Sequence, residues 1–538
     1  MTIRIRQLPW SITVATIGLA FLTACQQKKE ACPQCDTLVI AATGEPSTLV
    51  PPLVSETVGR DITDLVYERL AILATGGSPV DTAAFRPGLA ESWTRIDSLS
   101  LRFTLRKGAT WADGKPVVAE DVTFSFAAAV DTLLGAPPQD GLEGVTVTAD
   151  DPSHVTVRFD RPDPEQLYRA AVRVRIMPKH VWGQIPIGTW GADSGVARLV
   201  GSGPYRVAQW NRSQSLILER VRGTAFRQII WRFAQDQETA LNLVLSGEAD
   251  IAETLTSPSA RERAGQDTLV KLIPYPAGIY GFLGFQHADH NGKPHPILSD
   301  RAVRRALTQS IDRNTLVHSV IGKDAVVPAG PMSRALWIWD SATKTIGYDV
   351  AAAKTALDSA GWAPGPDGIR RKGSQRLSLD ILVPSTSVAR KNLAEVIQQS
   401  WKQIGVAAKV AAVDFPIFQE RLGQGKFDAM IGTWLDEPSP GSLANQWTKA
   451  GFKAINYGRY YQPKFDSLFT TAMTTTAPTA ARVIWRQAIE LLNDDAAAVF
   501  LFTPTNVAVA SKRIGGVVIN PFSWLQDVQT WTKGPGPK

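Results

Sequence analysis

From about residue 236 the chain alternates between two hydrophobic periods, and that alternation restricts the fold more than any other feature. Ala240, Leu243 and Val244 share one helical face that stops at Gly247. Val303, Ala306, Leu307 and Ile311 share another, which predicts a helix from Ser299 to near Asn314. Asp349 as N-cap, Ala353, Ala356, Leu357 and Ala360 behind it, and Gly361 as C-cap outline a third. Leu393, Val396, Ile397, Trp401 and Ile404 form a stripe ending at Gly405, and a last long helix is predicted over 479–492. Runs of strand character lie between them at 377–383, 406–413 and 427–434. Strands alternating with helices pack as α/β units, with a mostly parallel sheet.

The stretch 90–160 obeys a different period. Leu99, Leu101, Phe103 and Leu105 alternate with Ser100, Arg102, Thr104 and Arg106, and Val155, Val157 and Phe159 repeat the pattern. Period-2 alternation marks half-buried strands, so this block is expected to be antiparallel sheet around a helix at about 119–132, inserted into the α/β body. Thr37–Ala42 reads as a buried first strand before the turn Thr43-Gly44-Glu45-Pro46. The 538 residues suffice for two to four units, and 44% hydrophobic with 20% charged residues excludes disorder, collagen and coiled coil. Three cysteines cannot staple a chain of this size, so burial must hold it together. The net charge of +7 is dispersed, without the basic run that a nucleic-acid patch requires.

The start of the chain speaks to compartment. Arg4 and Arg6 precede a short apolar run, Ile12–Leu22, and then Leu22-Thr23-Ala24-Cys25. Positive flank, apolar segment and small residues describe an export signal over 1–24. The L-x-A-C ending resembles a bacterial lipobox, which makes Cys25 the lipidated residue and 25–35 a polar tether. Two or more acyl chains anchor stably where one does not. Cys32-Pro33-Gln34-Cys35 has redox spacing, but it lies in the tether rather than at a helix N-terminus, so a local disulfide or a passive pair is expected.

Several blocks then follow one another in order. They are Pro87-Gly88-Leu89-Ala90-Glu91-Ser92-Trp93, Leu101 to Gly108, Trp111-Ala112-Asp113-Gly114-Lys115-Pro116 and Glu120-Asp121-Val122. Gly201-Ser202-Gly203-Pro204-Tyr205, Leu245 to Ile251, Asp300 to Ala306, Ala360-Gly361-Trp362 and Gly458 to Asp466 continue the series. The series resembles the family 5 extracellular solute-binding proteins, the peptide-binding lipoproteins of ABC importers. Most of the blocks are structural: Gly114 and Gly203 are expected in tight turns, Trp93 and Trp111 in packing, Asp300 at a helix start and Arg304 as a lobe-stabilising charge.

The resemblance implies a two-lobed α/β fold of the periplasmic-binding-protein kind (type II, closing by a hinge), with a β-rich domain inserted in the first lobe. Lobe I would comprise 36–65, 196–280 and 506–538, the inserted domain 66–195, and lobe II 281–505. The expected partners are a peptide, permease subunits with separate ATPase subunits, and the membrane through the lipid; the protein is expected to be a monomer, without cofactor or metal. A buried peptide ammonium needs a carboxylate. In peptide-binding relatives an Asp just after a Trp serves, which here points to Asp436 after Trp434, with Glu437 as the substitute because the segment is a residue short. Ser55 and Glu56 would line the cleft from lobe I, and Tyr280 and Phe282 would wall it on a crossing strand. Trp337 and Trp339 lie in a segment often near the ligand in relatives, and exposed lobe packing explains them equally well.

Alternatives remain at this stage. Sixteen Trp against nine Tyr suit stacking on an oligosaccharide, and some relatives carry nickel or a metal chelate. His287, His290 and His295 are nevertheless better read as a polar loop than as a metal site. A lipid-anchored hydrolase would need a triad gathered from distant residues, since no G-x-S-x-G or H-E-x-x-H motif is present. The chain also has no phosphate-binding loop, so it is not the ATPase itself.

Overall fold

The computed structural model describes residues 35–535 apart from 136–138, 140, 143, 193 and 194. The signal segment 1–24, Cys25 and Cys32 lie outside the described residues. Cys35 is disulfide-bonded.

Two sheets carry the body. The first has seven strands in the order Val270–Pro276, Thr505–Ser511, Ile251–Ala252, Thr37–Thr43, Gln228–Ala234, Ser215–Arg220 and Tyr205–Asn211. The second has five, in the order Ala407–Val413, Ser378–Pro384, Ala429–Leu435, Ile279–Phe285 and Ala498–Phe502. The expectation of mostly parallel sheets is corrected: both are mixed. In the second sheet Ser378–Pro384 runs parallel to its two neighbours, because helices Val388–Gln403 and Phe415–Gly423 make the crossovers that parallel pairing requires. Ile279–Phe285 runs against both of its neighbours, since it enters the sheet directly from the other lobe. Consecutive strands 270–276 and 279–285 thus belong to different sheets, and the chain crosses between them at 277–278 and returns at 503–504.

The period-2 block forms its own antiparallel sheet, Ala90–Arg95, Ser100–Leu105, His154–Phe159, Val145–Asp151, with helix Ala119–Val130 against it. Leu101, Phe103, Val155 and Val157 point into one core with Val122 and Phe126, while Arg102 and Arg158 point out. Each such large apolar side chain contributes about 1.5–3 kcal/mol on burial.

Other local expectations divide. Asp300 caps its helix, accepting from the Ala302 N–H at 2.8 Å, and Arg304 is buried with its guanidinium donating to the carbonyls of Leu298, Ser299, Asp495 and Ala496. The single helix predicted over 299–314 is two, Arg301–Gln309 and Arg313–Val320, because Asp312 caps the second one and interrupts the first. Helix Val388–Gln403 buries Leu393, Ile397 and Trp401 but leaves Val396 exposed. Gly114 does sit in a turn, with φ +86°. Gly203 does not: it marks a close approach, where a Cβ would lie 2.2 Å from the Leu65 carbonyl oxygen.

Candidate functional site

Strand Ala429–Leu435 pairs with Ile279–Phe285 so that Trp434 sits opposite Tyr280. The next residue past the strand, Asp436, therefore emerges beside the crossing between lobes, and its N–H donates to the Gly278 carbonyl at 2.8 Å. Its side chain is 8% exposed, and one carboxylate oxygen accepts the Ser333 N–H at 2.6 Å. No ion pair reaches it among the described residues. Burial pushes the carboxyl up to about 6, outweighing the hydrogen bonding from Ser333. A buried carboxylate without a counter-cation gains from any cation placed against it.

Glu437, one residue on, is already answered. It is half exposed and ion-paired with Arg173, and the next hydroxyl along, Ser439, donates to the buried Glu165. Both partners come from the β-rich unit, so the two contacts hold the 437–439 turn from either side of Pro438. Burial pushes Glu165 up to about 7.

Trp434 is sandwiched, with Phe282 stacked on it at 6.1 Å and Tyr457 stacked at 6.1 Å. Tyr280 is fully buried, its hydroxyl donating to Gln446 and accepting from the Trp447 indole N–H at 3.1 Å. Phe282 is likewise buried and lines a narrow apolar cavity with Trp434, Trp447 and Tyr457. Phe282 stacks on Trp434 and Tyr280 packs against Phe282, both turned into the core because they alternate onto one face of a strand paired on both sides.

The first-lobe candidates lie apart. Glu56 occupies the N-cap position of helix Thr57–Val66 and lines a cavity of about 400 Å³ with Thr43, Glu45, Gln237 and Glu253. Burial opposes its ionisation, but hydrogen bonds from Ser47 and from backbone N–H groups of Glu56, Ser47 and Ser55 win and hold it below the usual range. Ser55 is exposed. No hydrogen bond or ion pair among the described residues joins this pair to Asp436.

Sequence reasoning missed two buried acids, Glu253 on the wall of that cavity and Asp61, which feels its charge. Burial, reinforced by the charges of Glu253 and Asp64, drives Asp61 well above the ordinary carboxylate range, and burial pushes Glu253 up to about 7. The Tyr275 hydroxyl meets Thr254 at 2.9 Å and the Glu253 carbonyl at 3.2 Å. Asp61 lies more than 190 positions from Glu253, Thr254 and Tyr275, so no local motif announces them.

The three loop histidines turn to three different partners. His287 is half-buried and meets the Ala497 carbonyl at 3.0 Å, and desolvation with the nearby Arg304 charge lowers it to about 3. His295 meets Asp428 at 3.0 Å, and His290 meets Arg459. No cluster of three metal-ligating residues occurs among the described residues. Trp337 is buried in the second-lobe core and Trp339 packs half-buried beside it.

Residues 84–454 match the bacterial extracellular solute-binding proteins, family 5. The chain belongs to this family. Its members bind substrates and are not enzymes. The probable D,D-dipeptide-binding periplasmic protein DdpA of Escherichia coli is 25% identical over 507 residues, covering 90% of this chain and 92% of that one. The fold matches that of the oligopeptide-binding protein AppA from Bacillus subtilis in complex with a nonapeptide (TM-score 0.70, 22% identity, 93% and 99% of the two chains). It also matches NikZ from Campylobacter jejuni in complex with Ni(L-His), at a TM-score of 0.72 with 23% identity over 93% and 100%. The two lobes and extra domain are thus those of the family, whose members act outside the cytoplasm with ABC importers. No helix among the described residues is long and apolar enough to cross a membrane.

Proposed function

We propose that this family member captures peptides between its two lobes through their free amino terminus and delivers them, as a monomer lipidated at Cys25, to an ABC permease. The lobes would be divided at 36–65, 196–280 and 506–538 against 281–505, with 66–195 as the inserted domain. The observation that carries the reading is Asp436: a buried carboxylate beside the interlobe crossing, without a counter-cation among the described residues, following a Trp held in an aromatic stack. A peptide ammonium is the cation that would satisfy it, and main-chain pairing would hold the rest of the ligand without regard to side chains. Glu437 is the weaker candidate, its charge being spent on Arg173.

Calorimetric titration with a short peptide and its N-acetylated twin tests this. The reading expects the free amine to bind at least about tenfold more tightly, since a charged hydrogen bond contributes roughly 1.5–3 kcal/mol. Equal affinities for the twins would remove the ammonium from recognition.

A further inference from the structure

A cavity of about 430 Å³ lies at the end of the second sheet opposite Asp436. Asp428, on its wall, precedes the strand that Asp436 follows, so the seven residues Ala429–Leu435 separate the two places, roughly 23 Å at strand rise. The floor is apolar: Leu382 and Ala411, direct neighbours in register, with Phe427 beside them.

Charge on the walls is unevenly committed. Asp428 is spent on folding, one oxygen meeting His295 at 3.0 Å and the other accepting the Asp380 N–H at 2.8 Å. Asp289 accepts the N–H groups of Asn291 and Lys293 on one oxygen at 2.9 Å each, with no ion pair among the described residues. Asp380 has Lys409 opposite it in register. Lys293, Arg421 and Lys426, from three separate places in the chain, line the cavity with no side-chain hydrogen bond or ion pair among the described residues. Gln286, 3% exposed, completes the wall; its amide N–H donates to the Ala288 carbonyl at 3.2 Å while its amide oxygen is buried without a partner among the described residues. Gly425, at φ +63°, lets the 423–428 turn close over Gln286, since a Cβ there would come 3.0 Å from the Gln286 amide nitrogen.

The wall carries three carboxylates as well as three cations, but Lys293, Arg421 and Lys426 have no side-chain partner among the described residues, and beside an apolar floor they suit one ligand chemistry. We propose that this cavity is a second binding site, separate from the interlobe cleft, for a small carboxylate with an apolar body. Arg421 receives the carboxylate in its planar fork, Lys426 and Lys293 add charge, and Leu382 and Phe427 take the hydrocarbon. The inference stands independently of what the cleft binds.

The test titrates 4-methylpentanoate, and its uncharged isostere 4-methylpentanamide, into the purified chain and into the variants Arg421→Gln, Lys426→Gln and Asp436→Asn. The expected result is saturable binding of the carboxylate to the unaltered chain and to Asp436→Asn alike. Binding should be at least about tenfold weaker for the amide and for Arg421→Gln, with a smaller loss for Lys426→Gln. Should Arg421→Gln fail to fold, Lys426→Gln decides alone. Absence of saturable binding up to about 10 mM, a Kd above which affinity falls below roughly 3 kcal/mol, would overturn the proposal. So would an amide that binds as well as the acid, or a loss that follows Asp436→Asn instead of Arg421→Gln.

Discussion

Replacing Asp436 by Asn is the sharpest perturbation available, because it removes a charge and almost nothing else. The amide oxygen keeps the Ser333 N–H, and the backbone bond to Gly278 is untouched. In the empty protein, burial raises the carboxyl from an ordinary 3.8 to about 6, which corresponds to roughly 3 kcal/mol disfavouring the charged form. An arriving ammonium supplies the missing countercharge. Losing one partner of a buried charge pair costs about 2–5 kcal/mol, so Kd for a peptide with a free amino terminus should rise at least about thirtyfold. The N-acetylated twin should change by no more than about threefold. Titration calorimetry at pH 7.5 reads both. The pH dependence follows with its sign: acidification through about 6 protonates Asp436 and weakens binding of the free peptide, a slope that Asp436→Asn abolishes. Equal losses for the two peptides, or an unchanged pH slope in the variant, would refute the reasoning.

The same burial makes a stability prediction of opposite sense. A folded-state pKa raised above the unfolded value means that the native protein binds the proton more readily, so this group's contribution falls as pH rises from about 4 to about 6. Urea denaturation of the empty protein at pH 7.5 should find Asp436→Asn more stable, by up to roughly 3 kcal/mol. Glu437→Gln should leave the discrimination between free and acetylated peptides intact, as it breaks only the contact to Arg173; titration of both peptides checks it. Tyr280→Phe leaves Gln446 and the Trp447 indole without their shared hydroxyl, and should lower stability by about 1–3 kcal/mol in urea while peptide discrimination persists. Gly203→Ala drives a methyl into the Leu65 carbonyl and should destabilise by about 1–3 kcal/mol by the same assay.

The fold was legible wherever one period dominated a segment. Leu101, Phe103, Val155 and Val157 announced the antiparallel block, and Leu393, Ile397 and Trp401 a helix, because the buried face of each repeats within a few residues. Strand direction was not legible. Whether Ile279–Phe285 runs with or against Ala429–Leu435 depends on how the chain enters from the other lobe, a relation between residues far apart. The helix Pro463–Thr474 and the strands Ala498–Phe502 and Thr505–Ser511 also escaped, the strands being continuous apolar runs without alternation. At the site, the order Trp434-Leu435-Asp436 pointed to one residue through family resemblance. The environment that gives Asp436 its character comes from Ser333 and Gly278, a hundred or more positions away, and the Arg173 that occupies Glu437 lies farther still. The burial of Tyr280 was not legible, because alternation says which residues share a face, not which face meets the cleft.

The central claim is that the cleft holds a peptide, and native mass spectrometry of the chain produced in an exporting host tests it most directly. The account predicts an intact mass above the denatured mass, with a mixture of short peptides bearing free amino termini released at about one per chain, the stoichiometry of a single interlobe site. Release of a sugar or a metal chelate at that stoichiometry, with no peptide, would contradict it.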